Sequence, residues 1–183
     1  SKEGDRVITL LNAGNLATTQ LVISLLDERS KAPSDRSPSI FEAQSMFQVA
    51  QLVGETLREV IETASPRGEL ADSSFTATLI LGGQISTGKP SLFLIYPEGN
   101  FIEASDDTQF FQSGETKYGR PILIRAFNPE MSIEDAVKLL IVSFDSTLRS
   151  NLAVGLPIDL CIYKNDSLKA GLNWRFEASD LYY

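Results

Sequence analysis

The spacing of apolar residues divides the chain into strand-like and helix-like segments. Short apolar runs bounded by turn residues predict strands at Val7–Leu11, Phe75–Leu81, Leu92–Tyr96, Phe101–Ala104, Leu156–Tyr163 and Asn173–Glu177. Apolar residues at helical spacing predict helices at Leu16–Glu28, Phe41–Thr63, Gly114–Phe127 and Ser132–Ser150. This order predicts an α+β protein in which helices pack outside two sheets, a four-layer αββα sandwich of one domain spanning residues 1–183.

The three central strands form the middle of this predicted core. The linker STGKP between the first two is too short for a crossover helix, so the strands should pair antiparallel. Apolar residues occupy both parities of these strands, which predicts a sheet covered on both faces. Pro33 and Pro38 mark a loop between the first two helices, and Pro66 and Gly68 end the second helix.

Two helices carry wide apolar faces. The stripe of the second helix, which includes Met46, Val53 and Leu57, is predicted to be core or subunit contact. In the fourth helix the main stripe comprises Ile133, Val137, Leu140, Phe144 and Leu148, and a second apolar side comprises Leu139 and Val142. We expect that helix to be buried between layers or between subunits. Ser132 and Asp135 resemble a capping box at its start.

Composition narrows the function classes. The net charge of −8, without a basic cluster, argues against nucleic-acid and membrane-surface binding, and no apolar run is long enough to span a bilayer. A single cysteine, Cys161, excludes an intrachain disulfide, favours the cytoplasm, and is predicted to be a small core residue. The absence of histidine removes Ser-His-Asp and Cys-His catalysis and most zinc sites. We therefore expect no metal and no cofactor.

The first strand ends in a turn that leads directly into the first helix. Asn12, Ala13 and Gly14 end the strand, and Asn15 can cap the helix. Such a turn brings backbone N–H groups to an open edge, where an oxyanion or a substrate backbone can bind. The simpler interpretation is a turn that needs glycine for its positive φ, and the sequence pattern alone favours it.

Five segments carry a resemblance to a known family. LLNAGNLATTQ resembles the strand–turn–helix of proteasome-type β subunits, and LILGGQ with LFLIYPEGNFIEA resembles their central meander. SGETKYGRPIL and FDSTLRSNLAVGLPIDLCIY are similar to one branch of that family, the bacterial proteasome-related Anbu proteins. The resemblance covers nearly the whole chain from Asp5 onward and implies the four-layer fold of the N-terminal nucleophile (Ntn) hydrolases.

The resemblance also implies a chemistry. In this family an N-terminal threonine hydroxyl attacks a peptide carbonyl, and its own α-amino group manages the proton through water or a lysine, so no histidine is needed. A glycine N–H at the strand–helix turn holds the oxyanion, and the matching glycine is Gly14. The supporting Ser-Gly-Ser segment matches Ser113, Gly114 and Glu115, so a glutamate stands where the family has its second serine.

Further positions depart from the family pattern. The aspartate and serine that flank the threonine amine match Asn151 and Val154, just before Gly155, and Asn151 is retained as a hydrogen-bond partner only. The family's threonine precedes the segment matching Val7, so we expect the nucleophile to lie on an N-terminal segment outside this chain. Ser1 is a weak alternative nucleophile, because the residues after it are polar and interrupted by glycine.

Three functions follow from the resemblance and its departures. The favoured one is a subunit of a proteasome-like threonine hydrolase that acts on peptides or amides. The alternatives are a non-catalytic assembly subunit with the same fold and a small-molecule Ntn amidase. In each proteasome-like case the expected partner is the protein itself, in a ring-like or helical homo-oligomer, with neither nucleic acid nor membrane. A covalent probe of the terminal residue separates the first two, and peptide against small-amide turnover separates the first from the third.

Overall fold

The computed structural model describes residues 1–31, 38–64 and 75–180. Within them the elements are β1 (Arg6–Gly14), α1 (Leu16–Lys31), α2 (Met46–Ala64), β2 (Ala77–Ile85), β3 (Ser91–Ile95), β4 (Phe101–Glu103), α3 (Arg120–Ala126), α4 (Ile133–Ser150), β5 (Ile158–Ile162) and β6 (Leu172–Phe176). This order confirms the predicted one. Pro33, Pro66 and Gly68, the predicted loop and helix-end residues, lie outside the described residues.

The chain divides into two compact units. Unit 1 comprises Ser1–Ser113 and Tyr163–Ala170, and unit 2 comprises Gly114–Ile162 and Gly171–Tyr183. Unit 1 contains the antiparallel sheet β1-β2-β3-β4 with α1 and α2, and unit 2 contains α3, α4 and the antiparallel pair β5-β6. The antiparallel pairing predicted for the central strands and for the last two strands is confirmed.

The core of unit 1 lies between α2 and the sheet. The apolar residues of α2 are spaced at the helical repeat, so they lie on one face of the helix. That face packs on β2 and β3. The buried cluster is Val22, Leu26, Ala43, Met46, Val49, Ala50, Val53, Leu57, Val60, Ile61, Ala77, Leu79, Leu81, Ile85, Phe93 and Ile95. Along β2 the buried residues Ala77, Leu79 and Leu81 alternate with the half-buried residues Thr78 and Ile80, so the face towards α2 is the more deeply buried one. Full cover of the second face stays a prediction.

The sequence pattern predicts that the second helix begins at Phe41. In the structure α2 begins at Met46, five residues later. Buried Arg6 draws the preceding segment away from helical geometry, since its guanidinium donates to the carbonyl oxygens of Ile40 (3.2 Å) and Ala43 (2.9 Å). Ser45 then caps the helix by accepting from the Gln48 N–H at 3.2 Å. Ser45 and Gln48 are a capping-box signal that the sequence contains and that the prediction missed.

Unit 2 is held by small polar residues. A side chain on Gly119 would come within 2.4 Å of the Ser143 hydroxyl and 3.0 Å of that of Thr147, so α3 and α4 approach closely there. Ser143 and Thr147 are buried, whereas Ile133, Leu140, Val142 and Phe144 are exposed. Burial of the α4 stripe within the chain was therefore a wrong prediction, and burial between subunits stays a prediction. Ser132 caps α4 as predicted, accepting from the Asp135 N–H.

Cys161 is exposed, which corrects its prediction as a core residue. Along β5 the half-buried residues alternate with exposed ones, and Cys161 shares the exposed face with Asp159. The period of two along a strand places both residues on the same side. The charge of Asp159 was the signal in the sequence for that orientation.

Candidate functional site

Gly14 is the last residue of β1 and adopts a conformation that favours glycine. Its φ is +116°, and an added Cβ would lie 2.5 Å from the Thr76 carbonyl oxygen and 2.9 Å from the Ala77 Cα. Both obstacles are backbone atoms, which cannot rotate away. Glycine is therefore required here for close packing against the start of β2, as well as for its backbone freedom.

The N–H of Gly14 points away from β2. In the antiparallel pair, Ser86 N–H donates to Asp5 O and Asn15 N–H donates to Thr76 O, so the odd-numbered residues of β1 face β2. The even-numbered residues present their N–H and C=O groups to the other edge. No strand of the described residues pairs along that edge beyond the isolated bridge between Lys2 and Arg6. Gly14 is exposed, and no strand of the described residues pairs with it on that edge.

The turn between Gly14 and α1 is fixed by hydrogen bonds. Asn15 caps α1, because its side-chain oxygen accepts from the Thr18 N–H at 2.9 Å. The Asn15 N–H donates to Thr76 O at 2.9 Å, and the hydroxyl of buried Thr18 donates to Phe75 O at 2.9 Å. Two consecutive carbonyl groups just before β2 thus hold the turn that presents the Gly14 N–H.

Two of the other predicted site residues, Glu115 and Asn151, share a hydrogen bond in unit 2. One carboxylate oxygen of Glu115 accepts from the Asn151 side-chain amide at 2.7 Å, and the other accepts from the Lys117 N–H at 2.7 Å. The Asn151 side-chain oxygen accepts from the Ala153 N–H at 2.8 Å. Both Glu115 and Asn151 are half-buried. Glu115 therefore ties the segment after Gly114 to the C-terminal end of α4.

The charge state of Glu115 follows from these partners. Hydrogen bonds from the Lys117 backbone N–H, and then from the Asn151 amide, hold the pKa of Glu115 below its ordinary value. Glu115 is consequently ionised at neutral pH and only accepts hydrogen bonds, whereas a serine hydroxyl also donates one. The structure thus joins two predicted residues, Glu115 and Asn151.

The remaining predicted residues take no part in that hydrogen bond. Gly114 adopts a positive φ of +84°, which glycine tolerates, at the turn between Ser113 and Glu115. Val154 donates its N–H to Asn151 O at 3.2 Å, and Gly155 follows in the same loop. Gly14 belongs to unit 1, while Glu115, Asn151 and Val154 belong to unit 2.

One polar cluster was missed by the sequence analysis. Buried Gln84 donates to Gly88 O at 2.8 Å and to the Asp166 carboxylate at 2.7 Å, and it accepts from the Tyr163 hydroxyl at 2.6 Å and the Asp166 N–H at 2.9 Å. Its amide is fully used, which indicates a structural tie between β2 and residues 163–170. Two of its partners, Tyr163 and Asp166, are 79 and 82 residues away in the chain, so no local pattern points to them.

Two negative findings apply to the part of the chain that the structure describes. There, no group of three or more histidine, cysteine, aspartate or glutamate residues is arranged to hold a metal ion. None of the helices described is both long enough and apolar enough to cross a membrane.

Known proteins are similar to this chain in sequence and in fold. A family model described as proteasome subunit matches residues 69–163. The solved structure of Anbu (ancestral beta-subunit) from Yersinia bercovieri is 43% identical, with a TM-score of 0.92, over 100% of this chain and 74% of that one. The chain belongs to the proteasome subunit family. This result confirms the predicted α+β, proteasome-type fold and the likeness to Anbu proteins in particular.

Two further members of the family extend the comparison. The structure titled helical assembly of the Anbu complex from Pseudomonas aeruginosa is 41% identical with a TM-score of 0.89, over 99% of this chain and 73% of that one. The proteasome subunit beta of Haloquadratum walsbyi is 27% identical over 165 residues, which are 90% of this chain and 60% of that protein. The chain thus spans less than two thirds of that curated relative.

Proposed function

We propose that this chain is part of a self-assembling, proteasome-like Ntn hydrolase that cleaves peptide or amide bonds with an N-terminal threonine. The observation that supports this most directly is the exposed Gly14 N–H at the end of an open strand edge. A fixed backbone donor of this kind stabilises the oxyanion that develops when a nucleophile attacks a carbonyl. The family of the chain makes amide hydrolysis the reaction that such a donor would serve.

The nucleophile is proposed to lie on a segment outside this chain. The even-numbered residues of β1 from Ile8 to Asn12 offer backbone hydrogen bonds along an edge that no described strand occupies. An added strand pairing there would satisfy these groups, which otherwise form an exposed, aggregation-prone edge. A nucleophile on such a strand would enter beside Gly14.

Glu115 and Asn151 are proposed as supporting residues. The ionised carboxylate of Glu115 favours a nearby positive charge, but it cannot donate a proton as the family's serine does. Asn151 fixes the orientation of that carboxylate through the bond of 2.7 Å. Proton handling in this protein would therefore differ in detail from the pattern of the resembled family.

The presence of Glu115 in place of the family's serine favours a second candidate function, a non-catalytic assembly subunit with the proteasome fold. Self-assembly is common to both candidates and is supported by the exposed apolar side chains of α4 and by the helical assembly of the Pseudomonas aeruginosa relative. We propose a ring-like or helical homo-oligomer in the cytoplasm.

Turnover separates these candidates. The protein produced from its complete reading frame is incubated with a fluorogenic peptide amide and, separately, with a small aliphatic amide. A threonine peptidase cleaves the peptide amide faster, a small-molecule amidase prefers the small amide, and an assembly subunit cleaves neither. Loss of peptide cleavage when the N-terminal threonine is replaced by alanine is the control that assigns activity to the nucleophile.

A further inference from the structure

The turn that presents Gly14 contains two adjacent buried threonines with different hydrogen-bond partners. Thr18 and Thr19 are 3% and 5% exposed, respectively. The hydroxyl of Thr18 donates to Phe75 O, outside the helix, at 2.9 Å. The hydroxyl of Thr19 donates to Asn15 O, four residues back in the chain, at 3.0 Å. The two side chains are therefore chemically matched, and only that of Thr18 connects α1 to the segment before β2.

That connection acts on the same segment that confines Gly14. Gly14 packs against Thr76 and Ala77 so closely that no side chain fits, and the Asn15 N–H donates to Thr76 O. Phe75 immediately precedes Thr76. The Thr18 hydroxyl therefore fastens the first turn of α1 to the backbone on which the Gly14 turn rests.

We propose that Thr18 is a positioning residue for the Gly14 N–H, a role that rests on the proposed hydrolase function. The Thr18 hydroxyl is buried, so its loss leaves the Phe75 carbonyl without this donor in a place that water reaches poorly. The turn then relaxes, and the Gly14 N–H loses its fixed direction. A donor displaced by about 1 Å can reduce catalysis by about 10²-fold.

The test compares three variants of the complete protein. Thr18→Val keeps the shape and removes the donor, Thr18→Ser keeps the donor, and Thr19→Val removes the neighbouring hydroxyl. With a fluorogenic peptide amide, Thr18→Val should lower kcat by about ten- to a hundredfold and leave KM unchanged, because the donor acts on charge that develops in the transition state. Thr18→Ser and Thr19→Val should both have a kcat close to that of the parent protein.

Hydrogen exchange provides a readout that does not depend on activity. The Asn15 N–H, which donates to Thr76 O, should exchange faster in Thr18→Val than in the parent, Thr18→Ser or Thr19→Val. If Thr18→Val does not fold, Thr18→Ala removes the same donor and carries the same comparison.

The two readouts separate the inference from the proposed function. The positioning role would be overturned if the Asn15 N–H exchanged at the parent rate in Thr18→Val, or if its exchange were equally faster in Thr18→Val and Thr19→Val. Accelerated exchange in Thr18→Val alone, in a parent that hydrolyses no amide, would support the role of Thr18 in holding the turn and would contradict the hydrolase function. A fall in KM and kcat together by the same factor would contradict a role confined to the transition state.

Discussion

Units 1 and 2 bury apolar surface in different ways. In unit 1 the apolar face of α2 packs on the sheet, and side chains such as Leu57 and Leu79 are fully buried. In unit 2 the N-cap of α3, Gly119, meets Ser143 and Thr147 of α4, while other side chains of α4, including Leu140 and Phe144, are exposed. Both helices have the same amphipathic pattern. That pattern shows that a face is suited to burial but does not identify the surface that covers it.

The sharpest contrast between the units is expected in subunit stability. Leu57→Ala in α2 should lower the free energy of unfolding by about 2–5 kcal/mol, because it opens a cavity in a closely packed core. Leu140→Ala in α4 should change it by no more than about 0.5 kcal/mol in the unassembled subunit, since Leu140 is 42% exposed. Urea unfolding, carried out at a protein concentration too low for assembly, measures the free energy of unfolding of both variants. Equal losses would remove the distinction between the two helices.

The second test concerns the function of unit 1. Gly14→Val should reduce kcat for a peptide amide by the equivalent of about 2.7–4 kcal/mol, the usual loss for one oxyanion donor. The added side chain collides with backbone atoms of Thr76 and Ala77, so the N–H must move. Assembly, measured by light scattering, should persist.

The matched control for that substitution is Gly82→Ala in β2. Its added Cβ meets the end of the Leu92 side chain at 3.3 Å, and a side chain can give way. Activity should therefore be retained in Gly82→Ala. Full turnover in Gly14→Val would exclude the Gly14 N–H as an oxyanion donor. Gly14 would then serve only the turn that requires its positive φ.

The third test concerns the exposed face of α4. Phe144→Glu should reduce the mass of the particle in solution towards that of one subunit, because each buried phenylalanine contributes about 1.5–3 kcal/mol to a contact and a charge opposes burial. The subunit itself should remain folded by circular dichroism. Lys138→Ala, on the charged side of α4 where Lys138 pairs with Glu134, is the control and should leave the mass unchanged. An unchanged mass in Phe144→Glu would exclude this face from the assembly contact.

The smallest effect is expected at Glu115. Its pKa is lower in the folded state than its ordinary value of 4.5, so its contribution to stability is present above that value and is lost as the pH falls through the folded-state pKa. Unfolding measured against pH should show a loss below pH 4.5 that Glu115→Gln lacks and Asn151→Ala reduces. Asn173→Ala, whose amide donates to Gly171 O, should retain the full dependence. Identical profiles for the parent and Glu115→Gln would contradict this role.

Local patterns predicted much of the fold. Apolar periodicity and turn residues predicted every described helix and strand in order, because these signals act within a few residues. The prediction failed where a distant group decides the geometry, as when Arg6 holds the carbonyls of Ile40 and Ala43 and α2 starts later. It also failed on α4, where glycine and hydroxyl residues allow a close helix crossing and leave Ile133, Leu140 and Phe144 of the apolar stripe exposed.

The candidate site was predicted only in part. Gly14 was selected by motif and its positive φ was expected for a turn, whereas the direction of its N–H depends on the pairing of β1 with β2. The Glu115–Asn151 hydrogen bond joins residues 36 apart, which the resemblance selected separately and no spacing rule connects. The role of Thr18 depends on a carbonyl 57 residues away, so it was visible only in three dimensions.

The most direct test of the central claim is covalent labelling of the terminal nucleophile. A peptide epoxyketone closes a ring only with a residue that offers both a hydroxyl and a free α-amine, so it reports N-terminal threonine or serine chemistry. The protein from the complete reading frame should be labelled once per subunit, and mass spectrometry should locate the adduct on an N-terminal threonine that precedes Ser1. Residues 1–183 alone should not be labelled. Stoichiometric labelling of Ser1 in residues 1–183, or no labelling of the complete protein, would contradict the account.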